Sequence, residues 1–187
     1  MQHQVVRAVF TSVLVTVLSL GAGTCLGATL PSLQDFEVGN GPITNSLSDW
    51  VGSDDSVVVT NTASGPVSGG SFGALVPEDK AVTNAIIGGP TVVWADFWSK
   101  PDFYDGPIAY RAINEAAAAL FFVSSNGYAV CNNGSVNGTT NWQEKSTIQA
   151  GGAATPLVED VTYARISVYQ NFATKKWALF LDDVLIA

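Results

Sequence analysis

The last 25 residues, 163–187, carry the clearest alternation of apolar and polar positions in the chain. A period of two predicts strands with one face on a core. The polar stretch 171–176 separates two such runs, so the segment is predicted to be a hairpin. One face of the first strand carries Ala164, Ile166 and Val168. In the second strand, one face carries Ala178, Phe180, Val184 and Ile186, and the other face carries Trp177, Leu179, Leu181 and Leu185. Because a lone hairpin is at best marginally stable, the rest of the chain must supply a sheet and a second layer.

Further short strands are predicted upstream, separated by turn residues. Asn126–Gly127 is the strongest hairpin signal among them. Many short strands with almost no helical pattern predict an all-β fold, an antiparallel β-sandwich of jelly-roll type. The first predicted strand lies around Phe36 and Val38, and the others are residues 55–61, 74–76, 91–99, 118–124, 128–131 and 142–148. A polar loop is predicted at 132–141, and residues 115–120 have the composition of a single helical turn.

Residues 91–99 form the best central strand, and both of its faces are largely apolar. Val93 and Phe97 lie on one face, Trp94 and Trp98 on the other. This pattern predicts a strand in the middle of the sandwich, or one with a face covered by a ligand or a loop. We predict that Trp94, like Trp177, is a core residue.

The N-terminal residues 1–28 have the layout of a secretory signal peptide. Arg7 and the terminal amine provide the positive end, residues 9–20 are apolar, and small residues follow. Two alternatives are an uncleaved anchor and a lipoprotein signal with lipid on Cys25. We therefore predict one domain, 29–187, that is secreted or held in the cell envelope.

Charge and composition exclude several functions. All 16 acidic residues and all but one of the 8 basic residues follow residue 28, which leaves a net charge of −9 there. Nucleic acid and anionic membranes need basic patches and are not expected partners. The single histidine, His3, lies in the signal region, which removes His-dependent nucleophilic catalysis and histidine metal sites. Cys131 is predicted to be a small buried residue.

A family resemblance rests on the same hairpin. "ARISV" followed by "WALFLDDVL" resembles the late hairpin of concanavalin A-like, laminin-G-like jelly-roll domains, with Asp183 in place of the usual Gly. "TVVWADFWSKP", "ALFFVSSNGYAVCNNG" and the opening "DFEVGN" resemble other parts of these domains, as found in secreted bacterial proteins. The resemblance covers most of residues 33–187.

Domains of this kind usually continue past this hairpin. The resemblance therefore implies that the chain lacks its last strands. The alternative is that "FLDDVLIA" is itself the final strand, as in carbohydrate-binding jelly rolls whose "lDDv.l" acid helps to bind calcium.

Catalysis is not expected. Glycanases of this fold carry two carboxylates on one face of a strand, about 5–9 Å apart. The acidic pairs of this chain are sequence neighbours, such as Asp182–Asp183, which in a strand would face opposite ways. Calcium needs oxygen ligands, and Glu37, Asp182 and Asp183 are the candidates.

Sugar binding is usually carried by aromatic rings with hydrogen-bonding neighbours. Tyr104 with Asp105, and Trp142 with Asn141, lie in or beside predicted loops and are the candidate ligand residues. The sequence thus predicts a non-catalytic binding module for a glycan or a cell-surface partner. A structural module of a larger surface protein and a divergent glycan-cleaving enzyme are the alternatives.

Overall fold

The structure is a computed structural model of the chain, and it describes residues 7–10, 39–47, 49–61, 72–77, 80–84, 91–105, 119–136, 139–159, 161 and 163–187. The predicted strand around Phe36, the helical turn before Ala119 and most of the predicted signal segment lie outside these residues. Within residues 1–28, only Arg7–Phe10 is described, and it forms a strand, β1.

The largest sheet has eight strands in the order β13-β12-β11-β7-β1-β5-β4-β2. All its neighbours are antiparallel except that β1 runs parallel to β5 and β7. After β1, its strands are β2 (Gly41–Pro42), β4 (Val58–Thr60), β5 (Gly73–Val76), β7 (Val92–Ser99), β11 (Ala164–Asn171), β12 (Lys176–Leu181) and β13 (Val184–Leu185).

Two smaller antiparallel sheets complete the described fold. One pairs β8 (Phe121–Val123), β9 (Ala129–Val136) and β10 (Thr139–Glu144); the other pairs β3 (Trp50–Gly52) with β6 (Val82–Asn84). The one helix among the described residues, α1 (Ile43–Ser46), is a single turn that begins after Pro42.

The core lies between the large sheet and the β8–β10 sheet. Ile166, Val168 and Leu179 of the large sheet and Phe121 and Cys131 of the small sheet belong to one buried cluster. Across this interface, the rings of Phe121 and Trp177 stack with centroids 6.4 Å apart. The prediction of an all-β antiparallel sandwich is confirmed, and so is the prediction that Cys131 is buried. Trp177, predicted to be a core residue, is partly buried and packs against the core.

The predicted terminal hairpin is present, with β11 and β12 paired from Asn171–Lys176 to Ile166–Leu181. The second predicted strand, however, is not continuous. Asp182 and Asp183 have φ values of +47° and +67°, and the chain turns there so that β13 folds back on β12. The prediction of one strand through Ile186 is therefore wrong, since alternation of apolar residues continues across a two-residue turn.

The Asn126–Gly127 hairpin is also confirmed, since β8 and β9 pair around it and Gly127 has φ of +78°. The predicted polar loop after Cys131 is wrong. β9 continues to Val136 and pairs with β10, which begins at Thr139 rather than at Trp142. Cross-strand backbone hydrogen bonds hold these polar residues in a ladder that their side-chain pattern does not reveal.

Candidate functional site

A patch of one exposed and two half-buried aromatic rings lies on the outer face of the large sheet. Trp94 on β7 is 54% exposed and lies directly opposite Tyr169 on β11. The Trp94 ring centroid is 5.1 Å from that of Tyr169 and 5.6 Å from that of Phe180 on β12. We call Trp94, Tyr169 and Phe180 the aromatic patch.

Strand geometry explains how the patch forms. Alternate residues of β7 face opposite sides, so Val93 and Phe97 are buried in the core while Trp94 faces outward. Tyr169 and Phe180 come from the two strands that follow β7 in the sheet, on its outer face. The prediction that Trp94 is a core residue is therefore wrong, because no described layer covers the face that it occupies.

Apolar side chains extend the patch at both ends. Val92, two residues before Trp94, is 42% exposed, and Leu185, which pairs with Phe180, is 38% exposed. A contiguous exposed apolar surface on a sheet face is typical of a binding site and uncommon elsewhere on a soluble domain.

A polar network borders the patch on the same face. Asp96 lies opposite Ser167, whose hydroxyl donates to Asp96 Oδ1 at 3.0 Å. Arg165 donates to both oxygens of Asp96, from Nε at 3.0 Å and from Nη2 at 2.6 Å. The hydrogen bond to Asp96 is the main reason that the pKa of Arg165 is raised. The network therefore offers a fixed polar rim with its charges largely paired.

The residues predicted to bind a sugar lie elsewhere, on the face of the β8–β10 sheet that carries the buried Phe122. Tyr104 and Trp142 are brought together because both pack edge-on against Phe122, with centroid distances of 5.2 and 5.1 Å. Both are half-buried, as is Asn141, whereas Asp105 is exposed. Phe122 fills the space between the two rings, so this cluster offers less free ring surface than the aromatic patch.

The predicted calcium ligands do not form one described site. Asp182 Oδ1 accepts from the backbone N–H of Arg165 at 2.8 Å, and both oxygens of Asp183 accept from Arg165 Nη1 at 3.0 and 3.1 Å. Glu37 lies outside the described residues. Contrary to the prediction for a strand, the two aspartates face the same arginine, because they form a turn. Across the described ranges, no group of three or more His, Cys, Asp or Glu side chains is close enough to hold a metal ion.

Burial suppresses the reactivity of the one described thiol. Cys131 is 2% exposed, and desolvation raises its pKa to about 12. The thiol therefore stays protonated at neutral pH, and the nucleophilic thiolate is not available. In the part of the chain that the structure describes, there is also no helix with the length and hydrophobicity of a membrane span.

Comparison of the chain with protein-family models, curated proteins and solved structures found no match. Any functional conclusion must therefore come from the site itself. Sequence analysis missed the aromatic patch because Tyr169 and Phe180 were treated only as members of alternating strands. Asp96 shares the face of Trp94 and Trp98, but it is buried and paired with Arg165, so it does not mark that face as exposed.

Proposed function

We propose that this protein is a non-catalytic binding module and that the aromatic patch holds its ligand, a glycan. The observation that carries the proposal is the exposed ring of Trp94, which contacts the rings of Tyr169 and Phe180. The C–H face of a sugar is apolar and packs well on an aromatic ring, while its hydroxyls need polar partners at the edge of the site. Arg165, whose side chain is 25% exposed at the border of the patch, is the candidate partner, and the buried Asp96 and Ser167 hold it in place.

The charge of the chain supports a neutral glycan over an acidic one. The net charge is −8, so a uronic acid or a sulfated sugar would meet long-range repulsion. The cation nearest to the patch in the network, Arg165, already binds Asp96 and Asp183. A neutral sugar needs no additional positive charge, and the open sheet face can accept a chain of several units.

The predicted signal peptide, residues 1–28, is consistent with this role, because extracellular glycans are met after export. The proposal also accommodates attachment to a cell surface. The alternative, a structural module without a ligand, would use the same apolar surface as a contact with a neighbouring domain.

A glycan array probed with the wild-type protein and with Trp94→Ala and Trp142→Ala tests the proposal. We expect the wild type to bind neutral glycans and Trp94→Ala to lose at least tenfold in affinity. The matched variant Trp142→Ala changes the aromatic cluster on the opposite sheet and should bind as the wild type does.

Three outcomes would redirect the assignment. Loss of binding in Trp142→Ala but not in Trp94→Ala would move the site to the β8–β10 sheet. Absence of wild-type binding to every glycan would favour the structural module. Release of reducing ends from a polysaccharide would show a glycan-cleaving enzyme. Circular dichroism and thermal unfolding of each variant distinguish lost binding from lost folding.

A further inference from the structure

The outer face of the large sheet has a second polar edge, on the side of the aromatic patch away from Arg165. Asn171 at the end of β11 pairs directly with Lys176 at the start of β12. Asn171 lies two residues after Tyr169, and an even spacing along a strand places both side chains on the outer face. Lys176 lies four residues before Phe180 and shares that face for the same reason. Lys176 is exposed and Asn171 is half-buried, so polar side chains border the patch on two sides.

Hydrogen bonds hold Asn171 against the patch and leave donors available beside it. Its Oδ1 accepts from the backbone N–H of Thr174 at 3.0 Å, and its Nδ2 donates to the Tyr169 hydroxyl oxygen at 3.4 Å. The proton of the Tyr169 hydroxyl has no acceptor in the part of the chain that the structure describes. The Lys176 ammonium has no ion-pair partner among the same residues. This edge therefore offers a phenol and an ammonium as hydrogen-bond donors to a ligand.

The two polar edges lie at opposite ends of one stretch of β11. Arg165 and Asn171 are six residues apart, and six residues of an extended strand span about 20 Å, the length of about four pyranose units. The rings of the aromatic patch lie between these ends. Trp94 is opposite Tyr169 on the side of Asn171, and Phe180 is one alternate position nearer to Arg165. A ligand that lies along β11 therefore meets polar groups at its two ends and rings in its middle.

The planes of the rings restrict the ligand further. The Trp94 ring is tilted by 55° to that of Tyr169 and by 34° to that of Phe180. A rigid, flat surface of a crystalline polysaccharide can lie on only one of these planes. A single chain can turn between its units and follow all three, so the arrangement favours a single chain.

We propose that the site takes one linear glycan chain of about four pyranose units along β11, with Asn171 and Lys176 at one end and Arg165 at the other. The length and direction of this chain presuppose the neutral-glycan site proposed above. The rings contact the C–H faces of the inner units, and the polar ends bind hydroxyls of the outer units. An ammonium donates hydrogen bonds to hydroxyl oxygens as well as to anions, so Lys176 fits a neutral chain.

Titration calorimetry with neutral oligosaccharides of different lengths tests the extent of the site. The probes are β-1,4-linked oligomers of glucose, of xylose and of N-acetylglucosamine, each from the monosaccharide to the hexasaccharide. We expect the affinity of the series that binds to rise with each unit up to about four and then to stay constant, because further units extend past Arg165 and Asn171.

Two variants test the second polar edge. Lys176→Met keeps the aliphatic stem and removes the ammonium, and it should weaken binding of the tetrasaccharide about tenfold while changing that of the disaccharide little. Tyr169→Phe keeps the ring and removes the phenolic donor, and it should weaken the tetrasaccharide in the same direction. The control is Lys175→Asn, which removes the same charge from the neighbouring residue and tolerates its φ of +54°. This control should bind as the wild type does.

Several results would overturn the proposal. An affinity that stops rising at the disaccharide, or equal binding by Lys176→Met and Lys175→Asn, would show that the chain does not reach the second edge. Retention on crystalline cellulose or chitin without binding of any soluble oligomer would exclude a single chain. Tighter binding of a galacturonic acid oligomer would exclude a neutral one.

Failure of the proposed function would look different. In that case no oligomer of any length binds, or Trp94→Ala leaves the affinity of every oligomer unchanged. Binding that depends on Trp94 but not on Lys176 or on chain length would leave the glycan site in place and refute only the four-unit chain along β11. Thermal unfolding of each variant distinguishes lost contacts from lost folding.

Discussion

Arg165 on β11 binds Asp96 on the neighbouring strand β7 through two hydrogen bonds, one to each carboxylate oxygen. The same guanidinium reaches Asp183 in the turn between β12 and β13. One side chain thus connects the central strand of the sheet to its last turn. The Arg165 and Asp96 side chains are only 25% and 11% exposed, so this contact is better shielded from water than a surface ion pair.

Replacement of Arg165 by Lys should show how much the paired geometry matters. Lysine keeps the charge but cannot donate two parallel hydrogen bonds to one carboxylate. We expect Arg165→Lys to lower the free energy of unfolding by about 1–2 kcal/mol, measured by urea denaturation. The control is Lys80→Met, which breaks an exposed ion pair to Asp54 and should cost clearly less than Arg165→Lys. Equal losses in the two variants would contradict the special role of the Asp96 contact.

The sequence predicts which residues of a strand share a face, but it does not predict which of the two faces lies outside the fold. Alternation correctly separated Val93 and Phe97 from Trp94 and Trp98, yet both sets are apolar. Hydrophobicity alone favours burial of each set, and only the position of the β8–β10 sheet decides that Trp94 is exposed. That position depends on long-range packing, which local periodicity does not contain.

For the candidate sites, too, the sequence predicts the residues but not the long-range contacts between them. Sequence could place Tyr104 and Trp142 near polar neighbours, but their shared contact with Phe122 depends on how three strands come together. Asp182 and Asp183 were expected on opposite faces of a strand, because no glycine marks the turn that they form. Their positive φ values are tolerated by aspartate and are accompanied by hydrogen bonds to Arg165.

Gln170 is a polar residue in the core whose replacement should stabilise the protein. It is 1% exposed, and neither its amide nitrogen nor its amide oxygen has a hydrogen-bond partner within the described residues. Methionine has a similar shape and no amide to desolvate. We expect Gln170→Met to raise the free energy of unfolding by about 1–3 kcal/mol in urea denaturation.

Two further variants test this explanation. Gln143→Met removes an amide oxygen that accepts from Lys145 Nζ at 2.9 Å in a half-buried position, so it should give no stabilisation. Gln170→Glu would bury a charge and should be strongly destabilising at neutral pH. A Gln170→Met protein less stable than the wild type would show that the amide is hydrogen-bonded in solution.

Gly127 should be far less replaceable than Gly151, although both have positive φ values, +78° and +89°. A Cβ at Gly127 would lie 2.4 Å from the carbonyl oxygen of Leu157, whereas a Cβ at Gly151 would meet nothing within 4 Å. Gly151→Ala should therefore cost only the conformational penalty, about 1–2 kcal/mol. Gly127→Ala adds a backbone clash and should cost about 2–5 kcal/mol, as measured by thermal and urea unfolding. Similar costs would contradict the close packing of this hairpin on residue 157.

The ion pair between Asp54 and Lys80 should make stability depend on pH in the acid range. The hydrogen bond from Lys80, followed by those from Ser56, lowers the pKa of Asp54 from 3.8 to about 2. A carboxyl whose pKa is lower in the folded protein contributes stability above the unfolded value, here about pH 4, and loses it as the pH falls through about 2. We expect Asp54→Asn to be less stable than the wild type at pH 6 and the difference to shrink between pH 4 and pH 2.

Urea unfolding at a series of pH values measures this difference. The control is Asp55→Asn, which replaces the neighbouring exposed carboxylate. The effect should also weaken in high salt, because Asp54 lies at the surface. A difference that does not change with pH, or an equal effect in Asp55→Asn, would show that the Lys80 contact does not set the acid stability of this loop.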